Sequence, residues 1–200
     1  MKGTTPEPVT LAGRIVTLVP LTEGHVDALW EVGSDPEIWR WTGKTLRTRE
    51  DMQAYVAEAL RSRAAGSALP FATTLTETGQ VVGSTRFGAI ALEHRRVEIG
   101  WTWIAPPWQR TAVNTEAKLL MLTHAIEVLG CTRVELKTDA LNDKSRRAIQ
   151  RLGAKEEGIL RKHMLTERGR MRDTVYYSLL DDEWPEAKRR LEGRLAQDGG

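Results

Sequence analysis

Two stretches carry residues that could do chemistry. In RRVEIGWTWIA, residues 95–105, one carboxylate, Glu98, interrupts an apolar run. In PPWQRTAVNTEAKLLMLTHAIEVLG, residues 106–130, a polar turn without glycine runs straight into a helix. Alternation along the first places Val97, Ile99, Trp101 and Trp103 on one strand face and Glu98, Thr102 and Ile104 on the other. Glu98 is then either an exposed-face residue or a working group. In the second, Pro106 and Pro107 stop the strand, Asn114 or Thr115 is suited to cap the helix, and Glu116 adds favourable charge to its first turn. The unsatisfied first-turn N–H groups sit at the positive end of the helix and form a natural seat for a pyrophosphate. Gln109, Arg110 and Thr111 can add side-chain contacts there. A plain strand-to-helix connection would show the same residues.

Other candidates carry less. Gly43, Lys44 and Thr45 imitate the end of a nucleotide-binding loop, but Ile38 stands where that motif needs its first glycine, so nucleotide hydrolysis is rejected. His25, His94, His124 and His163 lack metal-ligand spacing, and no metal is expected. Cys131 is the only cysteine, which excludes an internal disulfide, and it reads as a small core residue. Trp39 and Trp41, on either side of Arg40 beyond Pro36, are bulky groups in a loop. Core packing accounts for one of them, and two together suggest the wall or lid of a substrate pocket.

The elements that must position these groups come from a chain of 200 residues, 40% hydrophobic and 28% charged, the size and composition of a single folded domain spanning 1–200. No apolar run is long enough for a membrane span, and MKGTTPEPVT lacks the apolar core of an export signal, so a cytoplasmic protein without membrane partners is expected. The net charge is only +2, yet basic residues crowd from Lys144 to Arg172. They form either a solvated surface or an anion site. Nucleic acid is disfavoured because interleaved aromatics are missing.

A strand from Ile15 leads to a helix capped by Thr22. A second helix, RTREDMQAYVAEALRSRAA, opens on the capping pair Thr48 and Asp51 and closes at Gly66. A meander of about three strands then runs from Leu69 to Ala105. After it come a helix with Ala117, Met121, Ala125, Val128 and Leu129 on its apolar face, the strand TRVELKTD, and the short helix NDKSRRAIQRLG ending at Gly153. This succession implies a parallel crossover. A hairpin, GILRKHML and RDTVYYSLL about the turn TERG, precedes an amphipathic tail helix over 182–196. That helix sets Trp184, Ala187, Leu191 and Leu195 on one side, to dock on its own domain or on a second copy in a homodimer.

This order, over roughly residues 10–185, resembles the GNAT superfamily of acetyl-CoA-dependent N-acetyltransferases, most closely the branch of ribosomal-protein N-terminal acetyltransferases. The strand VEIGWTWIAPPW and the helix–strand–helix NTEAKLLMLTHAIEVLGCTRVELKTDALNDKSRRAIQRLGAKEEGILR carry the resemblance. It implies an α/β (α+β) fold: a mixed, mostly antiparallel central sheet, helices on both faces, and an acyl-CoA cleft between two splayed parallel strands. One departure stands in the loop, where Ala112 and Asn114 replace the small residues, usually glycines, of the family. A positive φ at Ala112 would cost on the order of 1 kcal/mol, unless the loop keeps helical angles there.

The resemblance also implies roles. Backbone groups of Trp103, Ile104 and Ala105 would pair with the pantetheine arm of acetyl-CoA, and one of their amides would polarise the thioester carbonyl. Gln109, Arg110, Thr111, Ala112, Val113, Asn114 and Thr115 would hold the pyrophosphate. Glu98 would be the base. No tyrosine stands in the short helix, so Ser145 would hydrogen-bond the departing sulfur and relay a proton. Asn142 would bind pantetheine amides or simply cap the helix, and Arg147 would meet the 3′-phosphate. The acceptor pocket would be built by the two N-terminal helices, Trp39, Trp41 and the 165–172 turn. A protein or peptide amine is the leading acceptor, a polyamine or amino sugar the second, and a non-catalytic acetyl-CoA-binding or interaction module the reading from another class.

Overall fold

The computed structural model describes residues 7–197; the first six residues, part of the polar start considered for export, lie outside them. Its strands and helices are β1 (Leu11–Ala12), β2 (Val16–Pro20), α1 (Val26–Gly33), α2 (Arg49–Ala64), β3 (Leu69–Leu75), β4 (Val81–Ala91), β5 (Arg96–Ile104), α3 (Ala112–Thr123), β6 (Arg133–Asp139), α4 (Asp143–Leu152), β7 (Lys155–Leu165), β8 (Met171–Leu180) and α5 (Trp184–Gln197). All eight strands join one sheet in the order β1-β2-β3-β4-β5-β6-β8-β7. Neighbours are antiparallel except β5 and β6, which run parallel and pair only at Arg96–Arg133, Val97–Val134 and Glu98–Glu135. Beyond Glu98, β5 continues to Ile104 with no partner on β6, so the two strands splay. The mixed, mostly antiparallel sheet with one splayed parallel pair is the architecture expected from the sequence.

Helices cover both faces. One core gathers Val113, Ala117, Met121 and Leu122 of α3, Ile149 and Leu152 of α4, and Trp184, Ala187 and Leu191 of α5 against Val97, Ile99, Val134 and Tyr177 of the sheet. The other gathers Leu29 of α1 and Met52, Tyr55, Val56 and Ala59 of α2 with Trp39 and Trp103. The tail helix docks on its own chain through Trp184, Ala187, Leu191 and Leu195, the side the sequence marked out. Local signals hold at several ends. Thr48 and Asp51 form the capping box of α2, Asn142 caps α4 through the Ser145 N–H, and Gly153 ends α4 at φ 102°. Cys131 is buried, and burial pushes its thiol pKa up.

Three expectations are corrected. Helix α3 starts earlier than Asn114 or Thr115 because Thr111, in extended backbone, is the cap: its hydroxyl accepts from the Val113 N–H and donates to the Trp108 carbonyl. Val128 is not on the apolar face but 67% exposed. Residues 124–128 wind as a π-helix, whose extra residue per turn rotates the face away from the sheet. The alternation along β5 is also broken. Its pairing with β4 shifts between Ser84 and Arg86, and Trp101 takes the left-handed φ of 50°. This bulge carries Trp101 and Trp103 to the face of Glu98 and returns Ile104 to the face of Val97 and Ile99.

Candidate active site

Helix α3 follows β5 and α4 follows β6, so both helices begin at the carboxyl end of the splayed pair, where open α/β sheets place their ligands. One wall of the cleft is the α3 start. Ala112 is the first residue of α3 and keeps helical angles; the left-handed residue is Arg110, at φ 64°. The glycine-free loop therefore avoids strain at Ala112 and places it at Arg110. The Val113 amide is taken by Thr111, and the Val113 side chain belongs to the core. The amides of Ala112 and Asn114 have no side-chain cap, and Asn114 and Thr115 lie within the first turn.

Gln109 reaches across the cleft mouth. Its Nε2 donates to the Ile104 carbonyl at 2.7 Å, and its Oε1 accepts from the Lys144 ammonium of α4. The Ala105 amide donates to Val82 O at 2.8 Å. The backbone of Trp103, Ile104 and Ala105 is thus less free than the sequence suggested: Ala105 is engaged with β4, and an incoming amide must displace Gln109 to reach the Ile104 carbonyl. Lys144 has a lowered pKa, first from burial and then from the nearby charge of Arg110. These two cations have no carboxylate within 4.0 Å among the described residues.

Glu98 lies at the base of the splay. It is 4% exposed, and its carboxylate is 2.8 Å from the Lys137 ammonium of β6. Gly100 leaves it room, since a Cβ there would sit 2.8 Å from Glu98 Oε1. The Trp101 ring packs over Gly88 on β4, with the Arg86 guanidinium 4.8 Å from its centre. Ser145 sits in the first turn of α4 with its N–H bonded to Asn142 Oδ1 at 3.1 Å, so the capping role of Asn142 is realised. Arg147 is exposed and forms no ion pair among the described residues.

The two loop tryptophans divide. Trp39 is 2% exposed, with its indole N–H on Gly33 O at 2.8 Å and its ring against Tyr55 and Trp103; it is core and not a pocket wall. Trp41 does line a cleft of about 280 Å³ with Arg40, Gly43, Leu141, Glu167, Arg168 and Arg170, between the 40–45 loop and the β7–β8 turn. Leu141 joins this cleft to the α4 start. The basic run 144–172 is not one surface. Arg146 pairs with Glu156, Lys155 with Glu183, and Arg170 with Asp139.

Sequence reasoning passed over Lys137, Asp139 and Arg86, and read Lys144 only as the start of the basic run. The first two had a signal: Glu135, Lys137 and Asp139 alternate with buried Val134, Leu136 and Thr138 on β6 and share one face. Arg86 had none, and the contact of Lys144 with Gln109 had none, because both depend on proximity across chain-distant elements. No group of three His, Cys, Asp or Glu side chains is placed to hold a metal ion, and no helix is long and apolar enough to cross a membrane, among the described residues.

Residues 16–155 match the family model of the acetyltransferase (GNAT) domain. The structure is similar to that of a GCN5-related N-acetyltransferase from Brucella melitensis, with TM-score 0.88 and 33% identity over 95% of this chain and 86% of that one. Two proteins of Bacillus subtilis (strain 168) are related in sequence. The "Uncharacterized N-acetyltransferase YoaA" is 26% identical over 86% of this chain and 97% of its own length. The "Putative ribosomal N-acetyltransferase YdaF" is 35% identical over 54% of this chain and 61% of its own length. The chain belongs to the GNAT family and is an N-acetyltransferase.

Proposed function

We propose that the enzyme moves an acetyl group from acetyl-CoA to a primary amine on a protein or peptide. The observation that carries this is the anion-ready wall that the starts of α3 and α4 form at the carboxyl end of β5 and β6, with the Trp41 pocket meeting the α4 start at Leu141. Acetyl-CoA fits this wall by its chemistry, since the free amides of Ala112 and Asn114 and the unpaired cations Arg110 and Lys144 all call for an anion. In this reading Thr111, Thr115, Gln109 and Arg147 add contacts to the phosphates. Asn142 secures the α4 turn that carries Ser145.

Acetyl-CoA supplies the acetyl group as a thioester. The chain's own residues align the amine, take its proton and stabilise the leaving side. Glu98 is the base, acting directly or through a water, and Lys137 fixes the orientation of its carboxylate. The unpaired edge of β5 through Trp103 and Ile104 lies along the acyl arm. The Ser145 hydroxyl hydrogen-bonds the sulfur and relays a proton. The objection that Ala112 spoils the loop loses its force, since that residue is helical; this weakens the reading as a non-catalytic module.

A protein or peptide acceptor is supported by the open pocket at Trp41 and by the name borne by YdaF. A polyamine or amino sugar would meet Arg40, Arg168 and Arg170, with Glu167 as the one acidic residue lining the pocket. A mass-spectrometric screen of peptides, polyamines and amino sugars with acetyl-CoA tests this. A mass gain of one acetyl group on peptide amines is expected. Modification of polyamines or sugars alone would contradict the acceptor class, and acetyl-CoA binding with no acetylated product would return the protein to the non-catalytic class.

A further inference from the structure

We propose that the acceptor is an anionic amine, a molecule that carries carboxylates as well as the amino group to be acetylated, recognised by Arg40, Arg168 and Arg170 around Trp41. This rests on the transfer reaction proposed above and names its substrate class.

The charge balance of the sheet face beside α1 and α2 carries the inference. Arg86 is 2% and Arg172 8% exposed, and neither has a carboxylate within 4.0 Å among the described residues. Arg172 also keeps a buried Nε with no hydrogen-bond partner, close enough to Asp139, Arg170, Glu98 and Tyr176 to feel each of them. The acids on this side are already committed. Glu98 holds Lys137, Asp139 holds Arg170 and Glu37 holds Arg40 at 3.2 Å; Glu167 accepts the Thr45 amide at 2.8 Å and offsets one of the pocket's arginines. Arg86 is set against the Tyr55 and Trp101 rings, at 5.2 and 4.8 Å, whereas Arg172 has, among the described residues, neither a facing ring nor a carboxylate of its own, a costly arrangement unless an anion approaches.

The pocket rim continues the pattern. Two guanidinium groups approach the Trp41 ring, Arg40 at 5.1 Å and Arg170 at 5.9 Å from its centre, and such cation–π contacts help to hold the planar forks that grip carboxylates. Arg168 makes no ion pair and reaches only the Thr45 hydroxyl, at 3.4 Å. The same positive field disfavours a protonated amine, so it lowers the pKa of the incoming group and supplies the neutral nucleophile at neutral pH. A polycation would be repelled on both counts.

The test is a comparison of kcat/KM across short peptides sharing one N-terminal residue and followed by acidic, neutral or basic residues, with free glutamate and spermidine as small-molecule arms. The acidic peptide is expected to exceed the basic one by at least about tenfold, with the ratio falling as salt is raised. The Arg168→Glu variant is expected to invert that order while acetyl-CoA affinity by calorimetry holds, and Arg168→Gln serves if the reversal does not fold. Acetylation of glutamate without peptides assigns the carboxylate to a free amino acid, and acidic peptides without glutamate assign it to a polypeptide. Equal rates, or a preference for basic acceptors, overturn the inference and leave the transfer reaction standing. No transfer to any arm overturns both.

Discussion

Glu98 and Glu116 are both buried glutamates on elements that frame the cleft, and their surroundings are opposite. Glu116, on α3, receives three backbone amides, from Arg14 at 3.0 Å, Ile15 at 2.6 Å and Val16 at 2.7 Å. Gly13 leaves space for it, since a Cβ there would stand 2.5 Å from Glu116 Oε2. Three of its roughly four acceptor sites are filled, and it clamps the β1–β2 turn to the start of α3. Glu98 has one lysine partner and lies where β5 leaves β6. A carboxylate held by three backbone amides keeps structure in place, whereas one with most of its acceptor capacity left at the base of a cleft can take a proton. The sequence suggested a helix-dipole role for the first and a choice between surface and work for the second. Only the partners separate them.

The largest effect expected from that contrast is on stability. Glu116→Gln turns an amide NH2 group against backbone donors and removes the charge, and should lower the unfolding free energy by about 3 kcal/mol in urea titrations. A loss under about 1 kcal/mol would mean the clamp is not what holds α3.

Lys118 extends the contrast to a buried cation without a counter-charge. Its ammonium donates to Thr102 Oγ1 at 2.6 Å and Thr85 Oγ1 at 3.3 Å, and burial depresses its pKa from 10.5 to about 7. The unfolded chain binds this proton below about 10.5 and the folded chain only below about 7. Stability therefore falls as pH drops through that window, and the deficit is complete below 7. Lys118→Met should gain about 2 kcal/mol near pH 7, with the advantage shrinking toward pH 10; a pH-independent difference between the two proteins would contradict it.

Smaller effects sharpen the Glu98 side. Gly100→Ala would crowd the carboxylate and should lower kcat about tenfold with little change in Tm, since moving a catalytic group by a fraction of an ångström is enough. Ala112→Gly should tighten acetyl-CoA binding by less than about tenfold in calorimetry, because the position needs no left-handed backbone. A larger gain would mean the natural loop is compromised.

Much of the fold was legible because it is local. The Thr48–Asp51 box, the Asn142 cap, Gly153 and the apolar side of α5 each depend on residues within a few positions of one another. What was missed depends on single backbone angles or distant neighbours. The bulge at Trp101 moved two tryptophans across the sheet, and Thr111 displaced Asn114 and Thr115 as cap through two hydrogen bonds that no propensity reveals. At the site, the loop and Glu98 stood out by type and spacing. Lys137 on Glu98, Lys144 on Gln109 and the approach of Arg170 to the Trp41 ring required the folded sheet.

The most direct test is the rate of acetyl transfer in a single turnover, from acetyl-CoA bound by the Glu98→Gln enzyme to its acceptor amine. If Glu98 takes the proton, the rate should fall by about a hundredfold or more, with acetyl-CoA affinity and Tm close to those of the natural protein. A rate within about twofold of the natural enzyme, on a folded and acetyl-CoA-bound variant, would show that Glu98 is no more than a buried partner of Lys137.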